Sequence, residues 1–445
     1  MTRILAACMA VFCATAGTAS AQELDIPFER YELANGLEVV LSHDASLPVA
    51  HVEVWYHVGS KDEVPGRSGF AHLFEHLMFN GSQHWDDEYF APLQPLGAQM
   101  NGTTNTERTN YYETVPSNAL ELALWMEADR MGFLLPALTV AKLDNQRDVV
   151  RNERRQNYEI RPYAKARKVI NEAVWPEGHP YHHLTIGSHE DLEAASMEDV
   201  ATFFKTWYVP NNATLTVVGD YDKAETKAWI ERYFGPIPKG PQPSPVTEAE
   251  APLPAAQTLE LTDAVQLPRL QWTWRSPAFF ADGDADLDVL SSLLTEGNSS
   301  RLYKRLVFED RIAKDVSAYQ ASAGLGSTYN VVVTLAPGHD VSEAQAALTE
   351  ELGRFLAEGP SQEELDRAKN GWKKMFFGRM ERVAGRAGLL QNYNHFRGEP
   401  GWIAQDLARY VGVTVDSLKT HANATLVDAH RVETIVRPLA DEGGE

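Results

Sequence analysis

Two histidines and a glutamate lie within five consecutive residues of this chain, in the order His72-Leu73-Phe74-Glu75-His76. On a helix, residues four apart project from the same face, so His72 and His76 could bind one metal ion together. Glu75 lies beside them, where its carboxylate could take a proton from a water held by that metal. The spacing therefore predicts a metal site with an acid–base group next to it.

The residues around the pentamer favour a helix. Ser68 is placed to cap its start, Asn80-Gly81 to end it, and its apolar face would carry Phe70, Leu73, Leu77 and Met78. The order H-x-x-E-H reverses the commoner H-E-x-x-H and is typical of the inverted zinc peptidases. The alternative is an ordinary amphipathic helix with two histidines and a chance glutamate. A third ligand would decide, because catalytic zinc usually has three protein ligands and one open position.

Length and composition set the limits of the fold. The chain has 445 residues, enough for two domains with separate cores, and 44% apolar and 23% charged residues, as in soluble globular proteins. Its formal net charge of −22 argues against nucleic acid or an anionic membrane as a partner and disfavours very acidic substrates.

The first residues have the pattern of a secretory signal peptide. Arg3 precedes a mostly apolar segment from Ile4 to Ala16, and Ala19-Ser20-Ala21 is a cleavage signal. We expect residues 1–21 to be removed after Ala21, which predicts a periplasmic or secreted protein. A lipoprotein signal at Cys8 is the alternative, but it would leave almost no apolar segment before the cut.

The cysteine count limits the chemistry of the mature chain. Cys8 and Cys13 both lie in the signal, so we expect no disulfide, and any metal site must use His, Asp or Glu. No other segment is apolar for long enough to span a bilayer.

The rest of the chain predicts an α+β fold of two related domains. A Pro-rich stretch at 236–257 is typical of a linker, which gives a domain at 22–235 and another at 258–445. Strands are predicted from alternation and turn signals, and helices from apolar spacing. We expect a mostly antiparallel sheet packed with helices in each domain. The second half repeats the element order of the first without its histidine pair, which suggests an internal duplication. The predicted strands are 31–41, 49–58, 99–115, 213–218, 270–274 and 329–335, and the predicted helices after the motif are 118–133, 139–160, 197–208, 284–294, 341–356 and 363–377.

Glu153 is a candidate third ligand on the predicted helix 139–160. Val149 and Val150 would face the core, while Glu153 could point toward the motif helix. The alternative is that Glu153 is simply a solvated helix residue.

Residues 69–82 resemble the active-site helix of the pitrilysin, insulysin and mitochondrial processing peptidase family. Further stretches are similar to other landmarks of that family and span nearly all of the mature chain: Asn101-Gly102-Thr103-Thr104 with Glu107-Arg108-Thr109 and Tyr111, His179-Pro180-Tyr181 with Ile186-Gly187, Tyr208 through Leu215, and Ser300-Arg301-Leu302-Tyr303. The resemblance implies one Zn²⁺ per chain, bound by His72, His76 and Glu153. It implies that Glu75 is the general base of a zinc metalloendopeptidase.

The same resemblance predicts how substrate binds. Asn101 and Gly102 resemble the residues that pair with an extended peptide backbone, a mode that favours unfolded segments and broad specificity. Phe79 would line a pocket for one substrate side chain, or it has a purely structural role. His179, His182, His183 and His189 are interpreted as loop and packing residues.

One departure from the family pattern concerns the second domain. Self-sufficient members carry an Arg and a Tyr there that help to stabilise the reacting carbonyl, whereas alignment places Val307 and Lys314 at those positions. Arg311 or Tyr319 could substitute if the register shifts. Alternatively, the chain forms a dimer, with an identical chain or with a ligand-less paralogue that supplies the Arg and Tyr. A non-catalytic peptide-binding or assembly subunit of the same family is the competing function.

Overall fold

A computed structural model describes residues 24–439 of the chain. The predicted signal peptide, residues 1–21, lies outside these described residues. Within them, no helix combines the length and the apolar character needed to cross a membrane.

The first half of the chain forms a six-stranded sheet. Its strands are β1 (Glu29–Glu32), β2 (Glu38–His43), β3 (Val49–Tyr56), β4 (Gln99–Thr104), β5 (Thr109–Pro116) and β6 (Ala213–Gly219). The spatial order is β1-β2-β6-β3-β5-β4, and every pair is antiparallel except β2 with β6. β4 is therefore an edge strand, paired only with β5 within the described residues.

Helices cover one face of this sheet and build the first core. They are α1 (Phe70–Leu77), α2 (Leu120–Ala137), α3 (Val140–Arg154), α4 (Lys165–Val174), α5 (His189–Ala194), α6 (Met197–Trp207) and α7 (Lys223–Phe234). A π-helical turn, Arg155–Ile160, continues α3. Leu73, Phe74 and Leu77 of α1 are buried among the sheet residues, so the motif helix belongs to the core rather than to a surface loop.

The second half forms a five-stranded sheet with its own helices. Its strands are β7 (Gln257–Asp263), β8 (Arg269–Ser276), β9 (Ala313–Ala321), β10 (Ser327–Leu335) and β11 (Val432–Pro438), and their order is β7-β11-β8-β10-β9. Its helices are α8 (Asp284–Thr295), α9 (Val341–Glu358), α10 (Gln362–Met380), α11 (Val383–Arg397), α12 (Ile403–Gly412) and α13 (Val415–Thr425). Only β7 and β11 pair in parallel.

The two sheets repeat one topology. β2-β6-β3-β5-β4 of the first corresponds to β7-β11-β8-β10-β9 of the second, with the single parallel pair in the same place. α1 connects β3 to β4, and α8 connects β8 to β9, so α8 is the counterpart of the motif helix. The predicted fold class, two related α+β domains with mostly antiparallel sheets, is confirmed.

Helix α11 of the second domain packs on the first sheet. The Gln391 side chain donates to the main-chain oxygens of Glu53 on β3 and Thr214 on β6, at 3.2 and 2.9 Å. This contact covers the face of β3 and β6 opposite to α1 and fixes the two domains to each other.

The Pro-rich stretch contains no helix or strand between Phe234 and Gln257. It is nevertheless attached to the first domain, because Gly240 N–H donates to Asn211 and Val246 N–H donates to Asp62, at 2.8 and 3.1 Å. We keep the domain limits 22–235 and 258–445 as a proposal.

Candidate metal centre

Helix α1 begins at a glycine that no other residue could replace without strain. Gly69 has φ +90°, and a Cβ there would lie 2.8 Å from the Ile186 oxygen. The N–H groups of Gly69 and Ala71 donate to the two carboxylate oxygens of Glu63, at 2.9 and 2.8 Å. A carboxylate at this helix end is favoured by the helix dipole and satisfies two otherwise unpaired donors.

The prediction that Ser68 caps this helix is wrong. Its hydroxyl donates to Asp191 at 2.5 Å and accepts the Ser188 N–H at 3.0 Å. The reason is that the chain turns at Gly69, so the cap is supplied by Glu63 from the preceding loop.

His72, His76 and Glu153 meet where α1 packs on α3. Nε2 of His76 lies 3.3 Å from Glu153 Oε2, and Nε2 of His72 lies 3.7 Å from the same oxygen. The two imidazole centroids are 4.9 Å apart. Among residues 24–439, this is the one group of three His, Cys, Asp or Glu side chains whose ligand atoms converge.

One part of the prediction for α3 is wrong. Val150 is buried, as expected, but Val149 is 41% exposed. The buried side of α3 thus follows Leu143, Gln146 and Val150 at spacings of three and four, and Glu153 continues that line toward α1.

The donor set fits a zinc ion. Two imidazole nitrogens and a carboxylate are preferred zinc ligands, and ligands about 2.0–2.1 Å from a tetrahedral metal lie about 3.3–3.5 Å apart. The observed separations of 3.3 and 3.7 Å from Glu153 match this arrangement within a few tenths of an ångström. Three protein donors leave one position open.

The charges at the site also suit a cation. Burial, and then the neighbouring His76, lowers the pKa of His72 to about 4, so His72 is neutral near pH 7 and its lone pair is available. Hydrogen bonding to His76 lowers the pKa of Glu153, which keeps that residue a carboxylate. A neutral His72 imidazole and the Glu153 carboxylate both favour a cation between them.

A polar contact orients Glu153. Asn157 donates from Nδ2 to Glu153 Oε1 at 3.3 Å, which leaves Oε2 directed at the histidines. Asn157 lies in the π-helical turn that follows α3, a distortion often found at functional sites.

Glu75 is half-buried on α1, between the histidines and β4. Burial is the main cause that raises the pKa of its carboxyl, while Thr104, His76 and Arg108 act in the opposite direction. A Cβ built on Gly102 of β4 would lie 3.2 Å from Glu75 Cγ. The glycine thus allows the edge strand to approach the candidate base closely.

Asn101 and Gly102 present different faces of β4. Gly102 lies opposite Tyr111, whose side chain is in the first core, and Asn101 lies opposite Tyr112 on the other face. The Gly102 N–H donates to the Asn101 side-chain oxygen at 2.9 Å, so this donor is not used in the hydrogen bonds between β4 and β5. Gly102 lies beside Glu75, and the exposed Asn101 side chain does not.

Comparison with known proteins assigns the family. The model of the insulinase family (peptidase family M16) matches residues 38–184, and that of the peptidase M16 inactive domain matches residues 194–371. The chain belongs to the insulinase family. The zinc protease PqqE of Helicobacter pylori is 27% identical over 419 residues, covering 92% of this chain and 93% of that protein.

Solved structures agree with this assignment. A protease from Helicobacter pylori has a TM-score of 0.87 at 26% identity and covers 93% of this chain and 100% of that one. A peptidase M16 inactive domain from Pseudomonas fluorescens has a TM-score of 0.82 at 17% identity, covering 94% and 99%, which shows the shared fold.

Phe79 of this insulinase-family chain lies in an aromatic cluster against β4. Its ring stacks on Phe90 at 4.8 Å and meets Tyr111 edge-on at 5.5 Å. A buried arginine that the sequence analysis missed, Arg130, lies 4.0 Å from the Tyr89 ring and donates to Glu127 at 2.9 Å. Phe79 is half-buried: one part of its ring packs in this cluster, and the other part is accessible to a ligand.

The four downstream histidines make separate contacts outside the metal group. His183 contacts Glu63 at 2.9 Å and so supports the cap of α1, and His189 contacts Glu159 at 2.9 Å. His182 contacts the Trp175 oxygen at 2.7 Å, and His179 stacks on the Trp175 ring at 4.4 Å. These contacts agree with a packing or loop role for His179, His182 and His183, whereas His189 begins helix α5.

The positions where an Arg and a Tyr were expected lie in the second domain. Val307 is packed against the second core, and Lys314 is exposed. Arg311 is exposed in a turn with φ +59°, and Tyr319 is 45% exposed on β9. Tyr319 lines a cavity of about 550 Å³ that also includes Arg167 of α4 and Arg269 of β8.

Proposed function

We propose that this chain is a zinc metalloendopeptidase that hydrolyses extended peptides or unfolded segments. The observation that carries the proposal is the convergence of two imidazole Nε2 atoms and a carboxylate oxygen, at 3.3 and 3.7 Å, next to Glu75. One Zn²⁺ per chain would be held by His72, His76 and Glu153.

The residues divide the chemistry between them. A zinc ion held there would polarise the scissile carbonyl and lower the pKa of a coordinated water. Glu75 removes the proton of the attacking water and later delivers one to the leaving amine. Burial raises the pKa of the Glu75 carboxyl, which favours its taking the proton of the water.

Strand β4 is the proposed docking edge for substrate. Its free edge can pair with an extended peptide, and Gly102 brings that edge within van der Waals distance of Glu75. The Gly102 N–H would exchange its Asn101 side-chain acceptor for a substrate carbonyl. This gives Asn101 a role in releasing the backbone donor, while Phe79 borders the same strand and would contact a substrate side chain. Main-chain pairing favours broad specificity.

A partner subunit and export complete the proposal. Val307 and Lys314 stand where an Arg and a Tyr would assist the reaction, which supports a dimer with an identical chain or with a ligand-less paralogue. The periplasmic protease PqqL of Escherichia coli has a similar fold, with a TM-score of 0.75. The match covers 93% of this chain but only 48% of that protein. Two copies of this chain would thus approximate that length. The signal pattern at residues 1–21 supports a periplasmic or secreted location.

The competing function is a peptide-binding or assembly subunit that does not cleave. The match of residues 194–371 to a peptidase M16 inactive domain favours it for the second half of the chain. The converging ligands and Glu75 in the first half support catalysis instead.

Cleavage of a quenched fluorescent peptide by the purified, zinc-loaded chain tests the proposal, beside Glu75→Gln and the control Glu190→Gln, an exposed carboxylate on α5. We expect Glu75→Gln to bind one equivalent of zinc and to lose hydrolysis, while Glu190→Gln cleaves normally. Hydrolysis unaffected by Glu75→Gln would refute the role of Glu75. Zinc binding without cleavage, even after addition of candidate partner chains, would favour the non-catalytic subunit.

A further inference from the structure

The second domain has a cavity at the helix pair that corresponds to the metal centre. α8 and α10 occupy in the second repeat the places of α1 and α3 in the first. Asp288 and Ser292 lie four residues apart on α8 and face α10 and α12. The Trp372 indole N–H of α10 donates to Ser292 Oγ at 3.1 Å. The Tyr410 hydroxyl of α12 donates to the Asp288 carboxylate at 2.7 Å. Among the described residues, no histidine lines this cavity, so it does not repeat the donor set of the first domain.

Six of the seventeen residues that line the cavity are aromatic. Its volume is about 440 Å³, and it lies between α8, α10, α11, α12 and the segment before α8. Trp372 stacks on Tyr410 at 4.4 Å, and Phe376 meets Tyr410 edge-on at 5.4 Å. Phe279 and Phe280 form the opposite wall. A cavity that combines aromatic rings with charged and polar side chains can hold a small molecule that has both an apolar part and charged groups.

A carboxylate without a cationic partner faces this space. Asp284, Asp288 and Asp406 lie together. The Arg409 guanidinium contacts Asp284 and Asp406, at 2.6 and 2.8 Å, and leaves Asp288 without such a contact. In residues 24–439, no Lys, Arg or His nitrogen lies within 4.0 Å of the Asp288 carboxylate. Burial, and then repulsion from Asp284, raises the pKa of Asp288 to about 7. A cation next to Asp288 would therefore be stabilised.

Arg379 of α10 supplies a positive charge to the same cavity. No carboxylate of the described residues lies within 4.0 Å of its guanidinium. Arg379 also borders a second cavity, of about 670 Å³, that lies between α10, α11 and the first sheet and shares Met375, Ala384 and Gly385 with the first. This second cavity provides a path by which a ligand could enter.

We propose that the second-domain cavity binds a small zwitterion, a free α-amino acid or a dipeptide with an apolar side chain. Its ammonium group pairs with Asp288, its carboxylate pairs with Arg379, and its side chain lies among the aromatic rings. The ammonium group satisfies the half-buried Asp288 carboxylate, whose charge is costly to leave unpaired, and the carboxylate is attracted to the exposed Arg379 guanidinium at the rim of the cavity. This inference does not rest on the proposed peptidase activity.

Calorimetric titration of the zinc-loaded full chain tests the site with four probes: L-phenylalanine, L-phenylalanyl-L-alanine, 2-phenylethylamine and 3-phenylpropionate. We expect at least one of the two zwitterions to bind at least tenfold more tightly than the amine and the acid. Equal binding of the amine would overturn the role of Arg379, and equal binding of the acid that of Asp288. Absence of binding by both zwitterions at 10 mM would refute the proposal.

Matched variants locate the ligand. Gly388 of α11 lines the cavity, and a Cβ there would meet no atom within 4 Å, so Gly388→Leu can fill the cavity without a backbone clash. Its control is Gly353→Leu, at an exposed glycine of α9 with equal space. Asp288→Asn has the control Asp366→Asn, an exposed residue of α10.

We expect Gly388→Leu and Asp288→Asn each to weaken zwitterion binding at least tenfold and the controls to leave it unchanged. Unchanged binding in both cavity variants, with folding confirmed by circular dichroism, would contradict the proposed location. Repeating the titration with the zinc-free full chain separates this site from the metal centre: binding should persist there, whether or not the chain proves to be a peptidase.

Discussion

His57 of the first domain and His395 of the second stack on each other, with their Nδ1 atoms 2.7 Å apart and their ring centroids separated by 4.9 Å. Thr214 donates its hydroxyl hydrogen to Glu38 at 3.1 Å, so it accepts from Nε2–H of His57 at 3.0 Å. His57 Nδ1 is then the acceptor and His395 Nδ1–H the donor. This assignment requires a neutral His57 ring, because a second proton on its Nδ1 would place two N–H groups against each other.

We predict that the domain contact weakens in acid. Burial lowers the pKa of His57 to about 4, although the charge of Glu38 acts in the opposite direction. Burial also lowers the pKa of His395 well below its usual value, and the charges of His57, Lys61 and Arg108 lower it further. The unfolded chain, with histidine pKa near 6.5, then binds more protons than the folded chain between about pH 6.5 and 4. As the pH is lowered from about 6.5 to 4, the free energy of unfolding should therefore fall, by up to about 1.4 kcal/mol per pH unit for each histidine.

Urea unfolding at pH 7.5, 6.5 and 5.5 measures this loss. The double variant His57→Asn/His395→Asn should show a shallower pH dependence than the native chain, and the control His43→Asn, at an exposed histidine of β2, should not. An equally steep dependence in the double variant would assign acid sensitivity to other groups. Hydrogen exchange of α11 reports whether the domain contact opens first.

Glu63, rather than Ser68, should control the stability of α1. Glu63→Gln replaces one acceptor oxygen with a donor NH₂ facing the Gly69 or Ala71 N–H, and it removes the charge beside His183. We expect a loss of about 1–3 kcal/mol in the free energy of unfolding, since a buried donor becomes unsatisfied. Zinc affinity should fall as well, because α1 positions two ligands.

Ser68→Ala is the comparison for this prediction. It removes a hydroxyl bonded to Asp191 and leaves the helix cap intact, so its effect on zinc affinity should be small. Both variants are compared by urea unfolding and by competition for zinc with a chelator. A larger effect from Ser68→Ala would restore Ser68 as the effective cap.

The sequence predicted local geometry better than distant geometry. The His72–His76 spacing is set by the helical period, and the strands and helices with clear periodicity were found at nearly their observed positions. The helix position made Glu153 a candidate, but only the resemblance singled it out as a ligand, because the exposed face of α3 is not evident from its sequence: Val149 is predicted to be buried and is exposed. The cap by Glu63, strand β9 and the docking of α11 on the first sheet depend on tertiary contacts, so no local signal indicates them.

Asn157 should tune the metal site without being a ligand. Its side chain donates to Glu153 Oε1 at 3.3 Å and leaves Oε2 for the metal. Asn157→Ala should weaken zinc binding roughly 10–100-fold, the usual effect of losing a partner of a ligand. Asn152→Ala, at an exposed position of α3, should leave the affinity unchanged. Chelator competition gives both dissociation constants, and equal values for the two variants would exclude the proposed orienting role.

Gly102 should limit turnover through its contact with Glu75. An alanine Cβ there would lie 3.1 Å from Phe79 and Tyr111 carbons and 3.2 Å from Glu75 Cγ, closer than most real contacts. Overpacking of this kind costs about 1–3 kcal/mol and is relieved by moving the nearest side chain. Tyr111 is buried and the half-buried Phe79 is held by stacking on Phe90, so we expect the half-buried Glu75 to move. A shift of about 1 Å in a catalytic group can lower the rate roughly 100-fold. Gly102→Ala should therefore bind zinc normally and lose kcat more than it raises KM, whereas Gly353→Ala should do neither. A rise in KM alone would instead place Gly102 in substrate pairing and leave Glu75 undisturbed.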